Sequence, residues 1–251
     1  MDIRFIGTGS GKVSRERFHS SLVISVKDYK LLVDAGDSVA RALLYQNISV
    51  NSINGILISH LHPDHFSGFA SLIVQMQMND REEPLFVFVH QTLITKIKDF
   101  LALSYVFMER MKFPLQFIGF DMGSEISVSP VLSFIPKGNT HLDAYQKYNP
   151  ELSYISGSFL FKSGNENVYY SGDLGGTDDL FLFDDHKINV FITEAAHVDL
   201  ESILKVSEKL DPGKIILTHL EAEDIPVLKR NIKSIKNHQI LIAEDGLKIS
   251  V

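Results

Sequence analysis

Between Ile56 and Gly68 the chain reads ILISHLHPDHFSG, an apolar run that ends in His60, His62, Asp64 and His65 within six positions. Packing four such groups side by side is costly, because every imidazole or carboxylate taken from water needs a partner. Either the fold brings hydrogen-bonding partners from elsewhere, leaving a polar turn with satisfied histidines, or the cluster holds metal. His60 and His62, two apart at the end of a predicted strand, would share one face. Pro63 stops that strand and suits the first turn of a helix opened by Asp64 and His65. Two donor pairs aimed from one turn can serve two neighbouring ions, His60 and His62 one of them, Asp64 and His65 the other.

One turn cannot close two coordination shells. Three further candidates follow strand-like runs: His141 after FIPKGNT, Asp173 in YYSGDLGG and His219 in IILTHLE. They complete a set of seven, in which Asp173 suits a bridging place because a carboxylate has two oxygens. The chain contains no cysteine, which excludes disulfides, thiolate nucleophiles and thiolate metal sites. Imidazoles with carboxylates suit two divalent ions, zinc first, with manganese or iron also accepted.

The 251 residues are 45% hydrophobic and 22% charged, ordinary proportions for a soluble globular protein. A net charge of −7 weighs against broad binding to nucleic acid, which depends on Lys and Arg. No apolar run approaches the roughly 18 residues of a membrane span. The opening MDIRFIGTGSG lacks a signal-peptide pattern, so a cytoplasmic, unprocessed protein is expected. Each half of the chain passes from strand-rich segments to strand–helix alternation, with no repeat, linker or low-complexity tract between. That order predicts an α/β protein of two packed sheets with helices outside, as one domain over residues 1–251. Asp37 or Ser38 is placed to cap the helix in DSVARALLYQNI, and QTLITKIKDFLALSYVF predicts one long amphipathic helix.

HLHPDH has the HxHxDH form that marks the metallo-β-lactamase superfamily, and His141, Asp173 and His219 follow in that family's order. LLVDAG resembles its first motif, in which Asp34 would brace the ligand loop without binding metal. AEDGLKISV resembles its closing strand. The resemblance implies an αββα sandwich, two mixed sheets face to face with helices outside, and a dinuclear metal site at one edge. A narrower likeness is to the tRNA 3′-end endonucleases called RNase Z, whose opening resembles FIGTGSG…RERFHSS. Their two late motifs resemble ITEAAHVD, with Glu194 and His197 at the matching places. His197 precedes His219 by 22 residues, across a helix similar to the family's. The family's tRNA-gripping arm, however, has no room here, because only 31 residues separate His141 from Asp173.

This resemblance implies a dinuclear phosphodiesterase without the arm. Asp64 would hold metal and take a proton from the attacking water; His197, oriented by Glu194, would protonate the leaving alkoxide or stabilise developing charge. The expected substrate is a small phosphodiester or an RNA 3′ end; no membrane partner is expected, and a homodimer is left open. A hydrolase of lactones, thioesters or β-lactams could use the same site, and a binding protein with a vestigial site is the alternative outside enzymes. A diiron redox role is disfavoured because His62 is intact. GTGSG, lacking the GxGxxG spacing, reads as a turn beside the site, where an amide or Arg15 or Arg17 could meet phosphate. His19, His90, His186 and His238 carry no motif, and FLALSYVF reads as helix core or dimer contact.

Overall fold

The computed structural model describes residues 1–233 and 239–251; His238 and the end of the segment DIPVLKRNIKSI lie outside them. Three antiparallel strands open the chain: β1 (Asp2–Gly7), β2 (Ser21–Val26) and β3 (Tyr29–Val33). The pattern then turns parallel, with α1 (Val39–Tyr45), β4 (Gly55–Leu57), α2 (Pro63–Phe66), α3 (Phe69–Met78), β5 (Leu85–His90), α4 (Ile94–Leu103) and β6 (Leu115–Phe120). Parallel neighbours cannot be joined by a hairpin, so each pair demands a crossover, and the helices supply it.

The second half repeats the plan. Four antiparallel strands, β7 (Ile126–Ser129), β8 (Leu132–Gly138), β9 (Gly157–Ser163) and β10 (Glu166–Tyr170), come first. Parallel units follow: β11 (Val190–Glu194), α5 (Leu200–Leu210), β12 (Lys214–Thr218), α6 (Ile225–Ile232) and β13 (Ile240–Ile242). The last strand, β14 (Lys248–Ser250), crosses back to pair with β1, giving two seven-stranded sheets, β14-β1-β2-β3-β4-β5-β6 and β13-β12-β11-β10-β9-β8-β7.

Burial follows from the alternation of side chains along each strand. In β4, Ile56 packs toward the helices with Phe69, Leu72 and Ile97, whereas Leu57 joins the layer between the sheets. That middle layer is rich in phenylalanine, with Phe134 and Phe159 packed edge to face at 5.7 Å. A third apolar layer, including Phe191, Ile203, Val206 and Leu217, seats α5 on the second sheet. The expected αββα sandwich is the fold observed.

Local differences have local causes. Ser38 stands at the start of α1 with φ 62° and makes no capping bond; its hydroxyl turns to Asp37 instead. The predicted long helix is only α4, which stops at Leu103 because Tyr105 takes the left-handed conformation at φ 57°. Leu101 is buried and Phe100 and Val106 pack against the core, but Leu103 and Tyr105 are exposed, so the FLALSYVF stripe is core only in part. β4 ends at Leu57, so His60 and His62 are not strand residues sharing a face.

Candidate metal centre

The chain leaves the sheet after Leu57 because Asp34 draws it away. Asp34 follows β3 with φ 62°, and its carboxylate is fully buried. The Ser59 amide donates to Oδ1 and the Ser59 hydroxyl to Oδ2, both at 2.8 Å. His65 Nδ1 donates to Oδ2 at 2.8 Å and the Tyr170 hydroxyl at 3.3 Å. His60 Nδ1 in turn donates to Ser59 Oγ at 3.0 Å. These bonds place a proton on Nδ1 of both histidines, leaving each Nε2 as the atom that faces the cluster. Both Nε2 atoms are buried without a hydrogen-bond partner. A bracing role for Asp34 fits this geometry, with Ser59 as its unpredicted intermediary.

The donor atoms converge. His60, His62, His141 and Asp173 form one group of donors and Asp64, His65, Asp173 and His219 a second, with Asp173 in both. Within the first, His141 Nε2 is 3.1 Å from His62 Nδ1 and 3.6 Å from Asp173 Oδ2. Within the second, His65 Nε2 is 3.1 Å from Asp173 Oδ1 and 3.4 Å from Asp64 Oδ2. His219 Nε2 is 3.1 Å from Asp64 Oδ2 and 3.3 Å from Asp173 Oδ2. A tetrahedral shell with bonds of about 2.0–2.1 Å spaces its donors about 3.3 Å apart. The residues therefore fit divalent ions in spacing as well as chemistry.

Charge points the same way. Burial lowers the pKa of His60 strongly and those of His62 and His141 as well, so these three offer neutral imidazoles. Burial opposes charge on His65 too, but Asp173 and Asp34 outweigh it and raise its pKa well above the usual value. For Asp64 and Asp173 burial pushes upward, yet the surrounding histidines prevail and hold both below the usual carboxylate range. The pocket's carboxylates thus select for a positive charge among them.

Glu194 ends β11 beside this cluster. Its Oε2 accepts from the Ala196 and His197 amides at 2.6 and 2.8 Å, and its Oε1 from Leu174 N and His197 Nδ1 at 3.2 and 3.0 Å. The ring of His197, 41% exposed, stands 5.0 Å from that of His141 and 5.9 Å from that of His219. The hydrogen bond to Glu194, against some desolvation, raises the His197 pKa.

The sequence profile of the family described as Anti-Pycsar protein Apyc1 matches residues 1–240. The chain belongs to that family. Among curated relatives, ribonuclease Z of Methanococcus aeolicus is 36% identical over 105 residues, a stretch covering 42% of this chain and 33% of the relative. This chain thus matches only about a third of that relative's length. Ribonuclease Z of Methanococcus maripaludis is 23% identical over 308 positions, covering 100% of this chain and 99% of the relative. Among solved structures, the metallo-β-lactamase fold protein YhfI from Bacillus subtilis superposes with a TM-score of 0.77 at 19% identity, covering 99% of this chain and 98% of YhfI. The metallo-β-lactamase fold and the kinship with ribonuclease Z are borne out, and with the donor set they support a metal-dependent hydrolase.

In this member of the Apyc1 family the glycine turn directs one of its two arginines inward, away from a ligand, while Arg15 stays exposed. Arg17 is buried and donates to Thr8 Oγ1 and to the Ala243 carbonyl at 2.5 and 2.6 Å. Asp245 accepts from the Thr8 amide and hydroxyl and from Phe18 N, so this network ties the turn to the C-terminal segment. Gly11 nonetheless abuts the site: a Cβ there would lie 3.5 Å from Asp64 Oδ2.

Asp179 also escaped the sequence reading, because an acid in LGGTDD looks like any turn residue. Buried, it accepts from Thr140 N and Thr140 Oγ1, at 3.1 and 2.8 Å to Oδ2, and from Gly175 N at 2.8 Å. It therefore clasps the loop bearing His141 to the loop bearing Asp173. Asp179→Asn, which turns an amide donor against these donors, should weaken metal binding about 10- to 100-fold, the usual cost of losing a group that orients ligands. Competition titration against a chelator measures this, with thermal unfolding as the check on folding; unchanged affinity would rule the clasp out.

Proposed function

We propose that the protein is a dinuclear metal-dependent hydrolase of phosphodiesters. His60, His62 and His141 would hold one ion, Asp64, His65 and His219 the other, and Asp173 both. The observation that carries this reading is the Asp173 carboxylate common to two donor groups, with the Glu194–His197 pair standing beside them. Zinc suits this imidazole-rich set best, with manganese or iron acceptable. When bound, two such ions supply charge against a developing phosphorane and make water acidic near neutral pH.

The chain's own residues do the rest. Asp64, itself a member of the second donor group, would accept the proton released by the attacking water. Glu194 holds the His197 backbone and fixes its ring through Nδ1, so Nε2 is the atom left to reach a leaving group. A raised pKa keeps that nitrogen protonated closer to neutrality, as a general acid requires. This pair suits a leaving group that must be protonated, such as an alkoxide, more than the thiolate of a thioester.

RNA ends and small phosphodiesters share this chemistry, and the missing arm favours the small ones. The alignment to the M. maripaludis relative spans 308 positions against 251 residues here, a surplus of 57. From His141 to Asp173 the chain holds a short helical turn, Asp143–Tyr145, and the strands β9 and β10. Elemental analysis after zinc or manganese loading should give close to two ions per chain. The loaded protein should turn over a chromogenic phosphodiester faster than a lactone or thioester, and cut a precursor tRNA poorly. A stoichiometry near zero would remove the hydrolase reading; faster carbonyl turnover would replace the phosphodiester, and efficient site-specific tRNA cutting would restore that substrate.

A further inference from the structure

Ser59 is buried just before the first histidine of the cluster, and its hydroxyl bonds on both sides. A hydroxyl has one proton to give and lone pairs to offer. The Asp34 carboxylate can only accept, so the Ser59 proton goes to Asp34 Oδ2, at 2.8 Å. Lone pairs alone then face His60 Nδ1 at 3.0 Å, and His60 must bring its proton to that nitrogen. Nε2 is left to face the cluster, 4.0 Å from Asp173 Oδ2. His60 is fully buried, so solvent cannot replace a lost acceptor at Nδ1.

Asp34 reaches the second donor group by a different route. His65 Nδ1 donates straight to Oδ2, at 2.8 Å. The Ser59 amide and the Tyr170 hydroxyl also hold the carboxylate, at 2.8 and 3.3 Å. Removing the Ser59 hydroxyl would leave these three bonds in place, and with them the brace on His65. The same change strips His60 of its acceptor. One buried carboxylate therefore orients a donor in each group, His65 by contact and His60 only through Ser59.

We infer that Ser59 is a positioning residue for the ion of the His60, His62, His141 and Asp173 group, and not for its neighbour. This rests on the dinuclear reading and adds to it a residue selective for one of the two ions. Two backgrounds of the full chain isolate the groups: His219→Ala leaves the first whole, and His62→Ala leaves the second whole. Competition titration of zinc against a chelator reads each. Adding Ser59→Ala should weaken zinc binding about 10- to 100-fold in the His219→Ala background, the usual cost of losing a group that orients a ligand. In the His62→Ala background it should change nothing. Ser59→Thr, which keeps the hydroxyl, should restore the lost affinity. Nitrogen NMR of the metal-free chain reads the cause: His60 should carry its proton on Nδ1, and Ser59→Ala should shift it toward Nε2. Equal losses in both backgrounds would make Ser59 a general support of the ligand loop. No loss in the first background, or an unchanged His60 tautomer in Ser59→Ala, would leave its hydroxyl without this role; each of these results overturns the inference alone. An unaltered protein that takes up no zinc would overturn it together with the dinuclear reading.

Discussion

Asp173→Ala should cost the protein most of its metal and its turnover together. The carboxylate lies within 3.1–4.0 Å of nitrogens on His60, His65, His141 and His219, so its removal takes a donor from both groups at once. Losing an ion's share of transition-state charge stabilisation is worth several kcal/mol, on the order of 10³-fold in rate. His219→Ala is the control, because it leaves the His60, His62, His141 and Asp173 group intact. It should keep close to one ion per chain where Asp173→Ala keeps less. Metal content and turnover of one chromogenic phosphodiester, measured on both variants, separate these outcomes. An Asp173→Ala protein that retained two ions and most of its activity would show that this residue does not bridge.

His197→Ala should behave in the opposite way, sparing metal and striking the chemical step. Its ring is held by Glu194 and belongs to neither of the two groups that share Asp173. Losing a positioned acid typically costs about 10²–10⁴ in rate. The loss should fall on kcat, because the proton is needed as the bond to the leaving group breaks. A nitrophenyl ester leaves readily without protonation and should be nearly spared, whereas an alkyl phosphodiester should bear the full loss. Glu194→Gln should give a milder version of the same pattern. Equal losses on both esters would contradict leaving-group protonation, and no loss on either would make His197 a surface residue held for structural reasons alone.

These predictions draw on two kinds of information. Four of the seven donor candidates were legible in the chain because HLHPDH concentrates groups that no ordinary turn would gather, whereas His141, Asp173 and His219 stand alone after strand-like runs and took their place from the family's order. The two-sheet architecture was legible too, since strand-only and strand–helix stretches alternate twice and each parallel pair must be bridged by a helix. Tertiary structure alone decided how the donors are aimed. Nothing local to Ser59 shows that its hydroxyl sits between Asp34 and His60, or that Tyr170, 136 residues from Asp34, adds a further donor. Likewise Asp179 is an unremarkable acid until the second sheet brings Thr140 and Gly175 to its carboxylate. Arg17, placed by sequence beside a ligand, is drawn inward because Ala243 and Thr8 offer it buried acceptors from opposite ends of the chain. The sequence by itself therefore named the seven donor candidates. The tertiary structure decided their tautomers, spacing and exposure, because each depends on partners that meet only when the two sheets close on one another.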